Sequence, residues 1–132
     1  MKRVLLYILQ YSIKKVIGSE LELVLSENAN IIDVINEADK RISSRGKFPS
    51  ERYHSLLHWV YNPVTERFYK QASIIAYSKP GEFLNVRDSP KRTLPDSVII
   101  HITPEGPCIT EVEDVIDYEV FNKAIKNKSP AG

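Results

Sequence analysis

The sequence predicts an α+β domain: a mixed sheet with one packed helix, an inserted hairpin and a helical extension at the C-terminus. Three observations carry this. Residues 3–9 and 20–25 are two β-prone runs separated by a glycine-containing turn. Residues 31–42 repeat apolar side chains at three- and four-residue intervals, the period of a helix with one buried face. Residues 98–103, VIIHIT, are a nearly unbroken apolar run of the kind found in mid-sheet.

In chain order, RVLLYIL and ELELVL read as an antiparallel hairpin, with KKVIGS supplying the turn at Gly18. Leu21, Leu23 and Leu25 share one face, because side chains alternate along a strand, and that face needs a cover. The helix that follows supplies it: Ile31, Val34, Ile35, Ala38 and Ile42 fall on one side, and Asp33, Asn36, Glu37, Lys40 and Arg41 mainly on the other. Asn30 with Asp33 resembles a capping box, and Gly46 stands where a C-terminal cap is expected. Lys40, Arg41 and Arg45 suit the negative end of the helix dipole.

FPSERYHSLLHWVY admits two readings. One is a helix from Ser50 with Tyr53, Leu57 and Val60 on one side; the other is a loop feeding a strand from Leu56 to Tyr61. YNPVTERFY is a hairpin around an Asn-Pro turn. ASIIAYS is a strand ended by Pro80-Gly81, EFLNV a short strand, and RDSPKRTLPDS a polar loop. In EVEDVIDYEVFNKAIKNK the residues Val112, Val115, Ile116, Val120, Phe121, Ala124 and Ile125 are spaced near-helically, with acids early and lysines late. This predicts an amphipathic helix over 112–126 with its apolar side buried, although VIDYEVF also reads as a strand.

Composition narrows the function classes. A chain of 132 residues fits one domain. A formal net charge of +1 offers no global field for nucleic acid or an anionic membrane. The single cysteine, Cys108, excludes an internal disulfide and favours a reducing, cytoplasmic setting. The opening MKRVLLYILQ has an apolar run too short for a signal peptide, and no run approaches the ~20 apolar residues of a membrane span. His54 and His58 are four apart, but only the distant His101 remains as a third ligand, so neither a metal site nor a cofactor is expected. Cys108 lies just before the expected last helix, the one feature that suits a nucleophile, and the expected reading is a buried or merely tolerated cysteine. With neither a hydrolase triad nor a phosphate-binding glycine loop in evidence, the chain is not expected to be an enzyme.

A hairpin, a helix, further strands and a central strand arriving last is the order of the β-grasp, or ubiquitin-like, fold. MKRVLLYILQYSIKKVIGSELELVLSENANIIDVINEADKRI resembles the opening of its small sulfur-carrier branch, the molybdopterin-synthase small subunit and the thiazole-biosynthesis carrier. GEFLNVRDSPKRTLPDSVIIHITPEGP resembles the second half of that branch. The resemblance covers residues 1–46 and 81–107. It implies a β-grasp domain over 1–107 with an insertion at 47–80, then an extension over 108–132, helical and ending in a mobile tail. In that branch a C-terminal Gly-Gly tail is adenylated and then thiocarboxylated. The matching place here reads Glu105-Gly106-Pro107, one glycine running into a proline, which implies a carrier end that has been built over.

The function expected is therefore that of a non-enzymatic module binding another protein through an exposed sheet face and the 53–69 hairpin. Trp59, Tyr61, Phe68 and Tyr69 are the expected contact residues, because aromatic side chains dominate interface hot spots. One alternative is a sulfur carrier or covalent modifier activated at Gly132 by an adenylating enzyme, since some ubiquitin-like modifiers are conjugated through a single terminal glycine. A second is a nucleic-acid-binding patch of Lys40, Arg41, Arg45, Lys47 and Arg52, with Tyr53 beside it for stacking. The competing reading of that patch is a solvated helix end.

Overall fold

The first strand, β1 (Lys2–Ile8), alternates as a half-covered strand must: Val4, Leu6 and Ile8 are buried, whereas Leu5 and Tyr7 are half-exposed. The computed structural model describes residues 1–106 and 111–128. After β1 come α1 (Tyr11–Ile17), β2 (Glu20–Leu25), α2 (Ile31–Ser43), α3 (Leu56–Val60), β3 (Tyr61–Asn62) and β4 (Arg67–Phe68). The chain then forms β5 (Ser73–Lys79), β6 (Glu82–Leu84), β7 (Ser97–Thr103) and α4 (Tyr118–Lys128).

The main sheet has five strands in the order β2-β1-β7-β5-β6, and β3 and β4 form a separate two-stranded hairpin. β1 runs antiparallel to β2 and parallel to β7, in a register from Arg3↔Ser97 to Ile8↔Ile102. The late strand β7 is central, as expected, and the strand order with α2 packed across it is the β-grasp arrangement. Residues 47–80 contribute α3 and the β3–β4 hairpin, and also β5, which is a member of the main sheet.

α2 begins on the capping box foreseen in the sequence. Asp33 N–H donates to Asn30 Oδ1 at 3.0 Å, and Asn30 N–H donates to Asp33 Oδ2 at 2.9 Å. Ile31, Val34, Ile35, Ala38 and Ile42 face the core. The end differs from expectation: the helix closes at Ser44, whose N–H reaches Lys40 O at 3.0 Å, and Gly46 lies two residues beyond.

The first connection is also corrected. The stretch expected as a plain turn is the short helix α1, capped by Gln10, whose side chain accepts from Ile13 N–H at 2.9 Å. Ile13 drives it, since this side chain is fully buried and holds the segment against the body. Gly18 then turns the chain into β2 at φ 82°, ψ 176°, a region open essentially to glycine alone. Gly18→Ala should lower the unfolding free energy by about 1–2 kcal/mol; urea denaturation checks it, and an unchanged midpoint would contradict the strain.

Between the two readings of residues 50–61 the structure selects helix over 56–60. Ser55 caps α3, its hydroxyl accepting from His58 N–H at 3.0 Å. Asp39 on α2 adds a second anchor, accepting from Leu56 N–H at 2.7 Å and Leu57 N–H at 3.1 Å. Both amides belong to the first turn, which has no intrahelical partners for them. Burial nevertheless raises the Asp39 carboxyl to about 6, against the pull of these two bonds. The Asn-Pro hairpin forms as expected, with Asn62 Oδ1 accepting from Val64 N–H at 2.9 Å.

The C-terminal region departs most. No helix spans 112–117; residues 111–117 form neither helix nor strand, and α4 starts only at Tyr118. The reason lies in the partners offered by the body. Gln71, Tyr69 and His58 take up the backbone groups of Glu113 and Ile116, which a helix would need for itself. Val112 and Val120, expected on a buried face, are 69% and 47% exposed, while Phe121 is buried and Val115, Ile116, Ala124 and Ile125 are half-buried. Among the described residues, no helix is long and apolar enough to cross a membrane.

Candidate functional site

The side of the sheet away from the core carries a line of rings. In-register partners place Glu20, Tyr7, His101 and Ile75 side by side across β2, β1, β7 and β5. One row along, Glu22, Leu5, Ile99, Tyr77 and Phe83 reach across all five strands. None of these side chains belongs to the buried core; Ile75 is 44% exposed and Phe83 70%. β7 is therefore central but covered on one face only, which corrects the fully buried strand that VIIHIT suggested. Along it Val98, Ile100 and Ile102 face the core, whereas Ile99 and His101 are only half-buried.

The rings are packed against each other. His101 stacks on Tyr7 at 4.8 Å and on Tyr77 at 5.8 Å between centroids, and its Nε2 lies 3.2 Å from the Tyr77 hydroxyl. Phe83 meets Tyr77 edge-on at 6.0 Å. Desolvation and the neighbouring Glu20 carboxylate push the Tyr7 phenol above its ordinary value. The result is a pre-ordered apolar and aromatic surface bordered on the β2 side by Glu20 and Glu22. A surface of this kind can bind by burying area.

The four aromatic residues expected to face a partner are instead inside. Trp59 is 7% exposed, Tyr61 5%, Phe68 4% and Tyr69 2%. Trp59 stacks on Tyr53 at 4.6 Å, and Tyr61 meets Phe68 across the hairpin at 5.1 Å. The cause is the small hairpin lying against α3, which turns an aromatic excess into a second part of the core. Composition supplied the rings, but only the packing decides their side.

The basic residues Lys40, Arg41, Arg45, Lys47 and Arg52 are all exposed around the end of α2 and the loop after it. Lys40 pairs with Glu37 at 3.6 Å, and Arg52 sits over the buried Tyr53 ring, 5.3 Å from its centroid. The further cations Arg87, Lys91 and Arg92 line a different feature, an open groove of about 960 Å³ that also carries Glu66, Asp88, Glu113 and Asp114. Arg87 is committed to the backbone there, donating to Tyr69 O at 2.7 Å and to Ala72 O.

His54 and His58 are close but do not form a ligand pair. His58 Nδ1 accepts from His54 N–H at 3.2 Å, so Nε2 carries the proton and donates to Ile116 O at 2.8 Å. Both ring nitrogens are occupied, and burial holds the imidazole below its ordinary value. Gly106, at the place matching a carrier terminus, is fixed by its N–H to Gln71 O at 2.8 Å. Cys108 and Gly132 lie outside the described residues.

No protein-family model matches the chain, and no curated protein does. Among solved structures, it is similar to one described as molybdopterin converting factor, subunit 1, from Pyrococcus furiosus. The two share 18% identity with a TM-score of 0.47, over 80% of this chain and 100% of that one. The β-grasp assignment rests on the strand order and register given above.

Proposed function

We propose that the chain is a non-enzymatic, ubiquitin-like interaction module that binds another protein through the open face of its sheet. The observation supporting this reading is the solvent-facing ladder Tyr7–His101–Tyr77–Phe83 with Leu5, Ile75 and Ile99 around it. Large contiguous apolar patches on a protein surface mark interaction sites. Covering this one removes apolar area from water at about 25 cal/mol per Å², and the mutual stacking means little side-chain freedom is lost on docking. The contact residues of this reading are those of the sheet face.

The test is site-specific photo-crosslinking in cells with benzoylphenylalanine at position 75, at position 83, and at the exposed α2 position 36 as control. One discrete partner band is expected from 75 and 83 and none from 36. The band from position 75 should disappear when Phe83→Asp is added. Equal crosslinking from all three positions, or none from the sheet face, would sink the reading.

A further inference from the structure

Residues 111–117 are held in the manner of a bound peptide. Gln71 donates from Nε2 to Glu113 O at 2.8 Å and accepts at Oε1 from Glu113 N–H at 3.0 Å, a two-way pairing that reads the backbone. Three residues on, Ile116 N–H donates to the Tyr69 hydroxyl at 3.1 Å, and His58 Nε2 donates to Ile116 O. With the segment in place Gln71, Tyr69 and His58 are 7%, 2% and 3% exposed, so their polar ends are buried against its backbone. Lys70 adds charge selection: its N–H donates to Glu113 Oε2 at 2.8 Å and its Nζ to Glu111 Oε2 at 2.5 Å. Val115 and Ile116 follow the acids and are half-buried.

The attachment of 111–117 combines these polar contacts with partial burial of Val115 and Ile116 against the core. Phe121 is the one large side chain of 111–128 that is fully buried among the described residues, and Val112, Tyr118 and Val120 remain exposed. Buried apolar area is what makes a segment slow to leave, and no side chain within 111–117 is fully buried. Tethering substitutes for it, because a segment on the same chain is presented at millimolar effective concentration.

We infer that Tyr69, Lys70, Gln71 and His58 form a peptide-binding site for a non-helical acidic segment followed by aliphatic residues, which residues 111–117 occupy as a displaceable intramolecular ligand. A peptide of the same chemistry on another protein competes for it. The inference uses none of the residues of the open sheet face and stands apart from the reading above.

The test uses the full chain with only the occupying segment weakened, as Glu113→Pro with Ile116→Pro, which removes the two N–H groups that Gln71 and Tyr69 accept. The probe is a fluorescein-labelled peptide of residues 111–126, with a scrambled peptide as control, and fluorescence anisotropy as readout. At least tenfold tighter binding is expected to the double variant than to the unmodified chain, none to either from the scrambled peptide, and loss of the gain when Gln71→Ala is added. Equal binding to both chains, or no binding to a double variant that still melts cooperatively, would overturn the inference. If the variant does not fold, hydrogen exchange of the unmodified chain decides. The Glu113 and Ile116 amides should exchange at least tenfold faster than the Ile100 amide; exchange at the same rate would show a segment released only by global unfolding, and the inference fails.

Discussion

Ile100→Ala should lower the unfolding free energy by about 3–4 kcal/mol, whereas Ile99→Ala, one residue away on the same strand, should lower it by about 1 kcal/mol or less. Ile100 is 0% exposed, facing the core from the central strand β7. Its truncation leaves a cavity bounded by side chains that other elements hold in place. Ile99 points the other way, between Leu5 and Tyr77 on the open face, where water fills the space left behind. Urea denaturation of the two variants checks the contrast. Equal losses would mean that both faces are covered in solution, by a second copy or otherwise.

The second large effect is a pH dependence centred on Asp39. Its carboxyl is raised from 3.8 to about 6 in the folded state, because burial outweighs the Leu56 and Leu57 amide bonds. A folded-state value above the unfolded one means that the folded protein binds this proton more tightly. The contribution is therefore complete below about pH 3.8 and is lost as pH rises through about 6. The full swing is on the order of 3 kcal/mol. Asp39→Asn removes the titration, so the difference in stability between the two chains should slope between about pH 4 and 6 and be flat above pH 7. A difference that stays constant across that range would show the carboxyl to have an ordinary value.

Much of the fold was legible because it follows from periodicity and capping. The α2 face, the Asn30–Asp33 box, the Asn-Pro hairpin and the central position of β7 each rest on a local pattern that tertiary contacts reinforce. The misses share a cause. α1 begins on Gln10, outside the favoured capping residues, and its only strong signal is Ile13, whose burial depends on partners far along the chain. Residues 111–117 carry helical spacing, yet Gln71 and Tyr69 outcompete a helix for their backbone groups. The candidate site was half legible: a sheet with one open face was expected, but its rings were sought in the aromatic-rich hairpin. The ladder Tyr7, Tyr77, Phe83 and His101 is drawn from four strands, and no window of sequence brings it together.

The parallel join of β1 to β7 also fixes the order in which this protein can assemble. Lys2 and Asp96, paired across that join, are 94 positions apart. β1 leaves the ribosome 94 positions ahead of the segment that carries its second neighbour. At roughly 5–20 residues per second that interval is about 5–20 seconds. During it the β1–β2 hairpin and α2 can associate, but β1 keeps a bare edge with Val4, Leu6 and Ile8 incompletely covered. Closing so long a loop is slow even once the chain is free. Unfinished chains of this protein therefore pass through a stage in which an apolar strand edge is open to other nascent chains, and the yield of soluble protein depends on how quickly β7 arrives to fill the centre of the sheet.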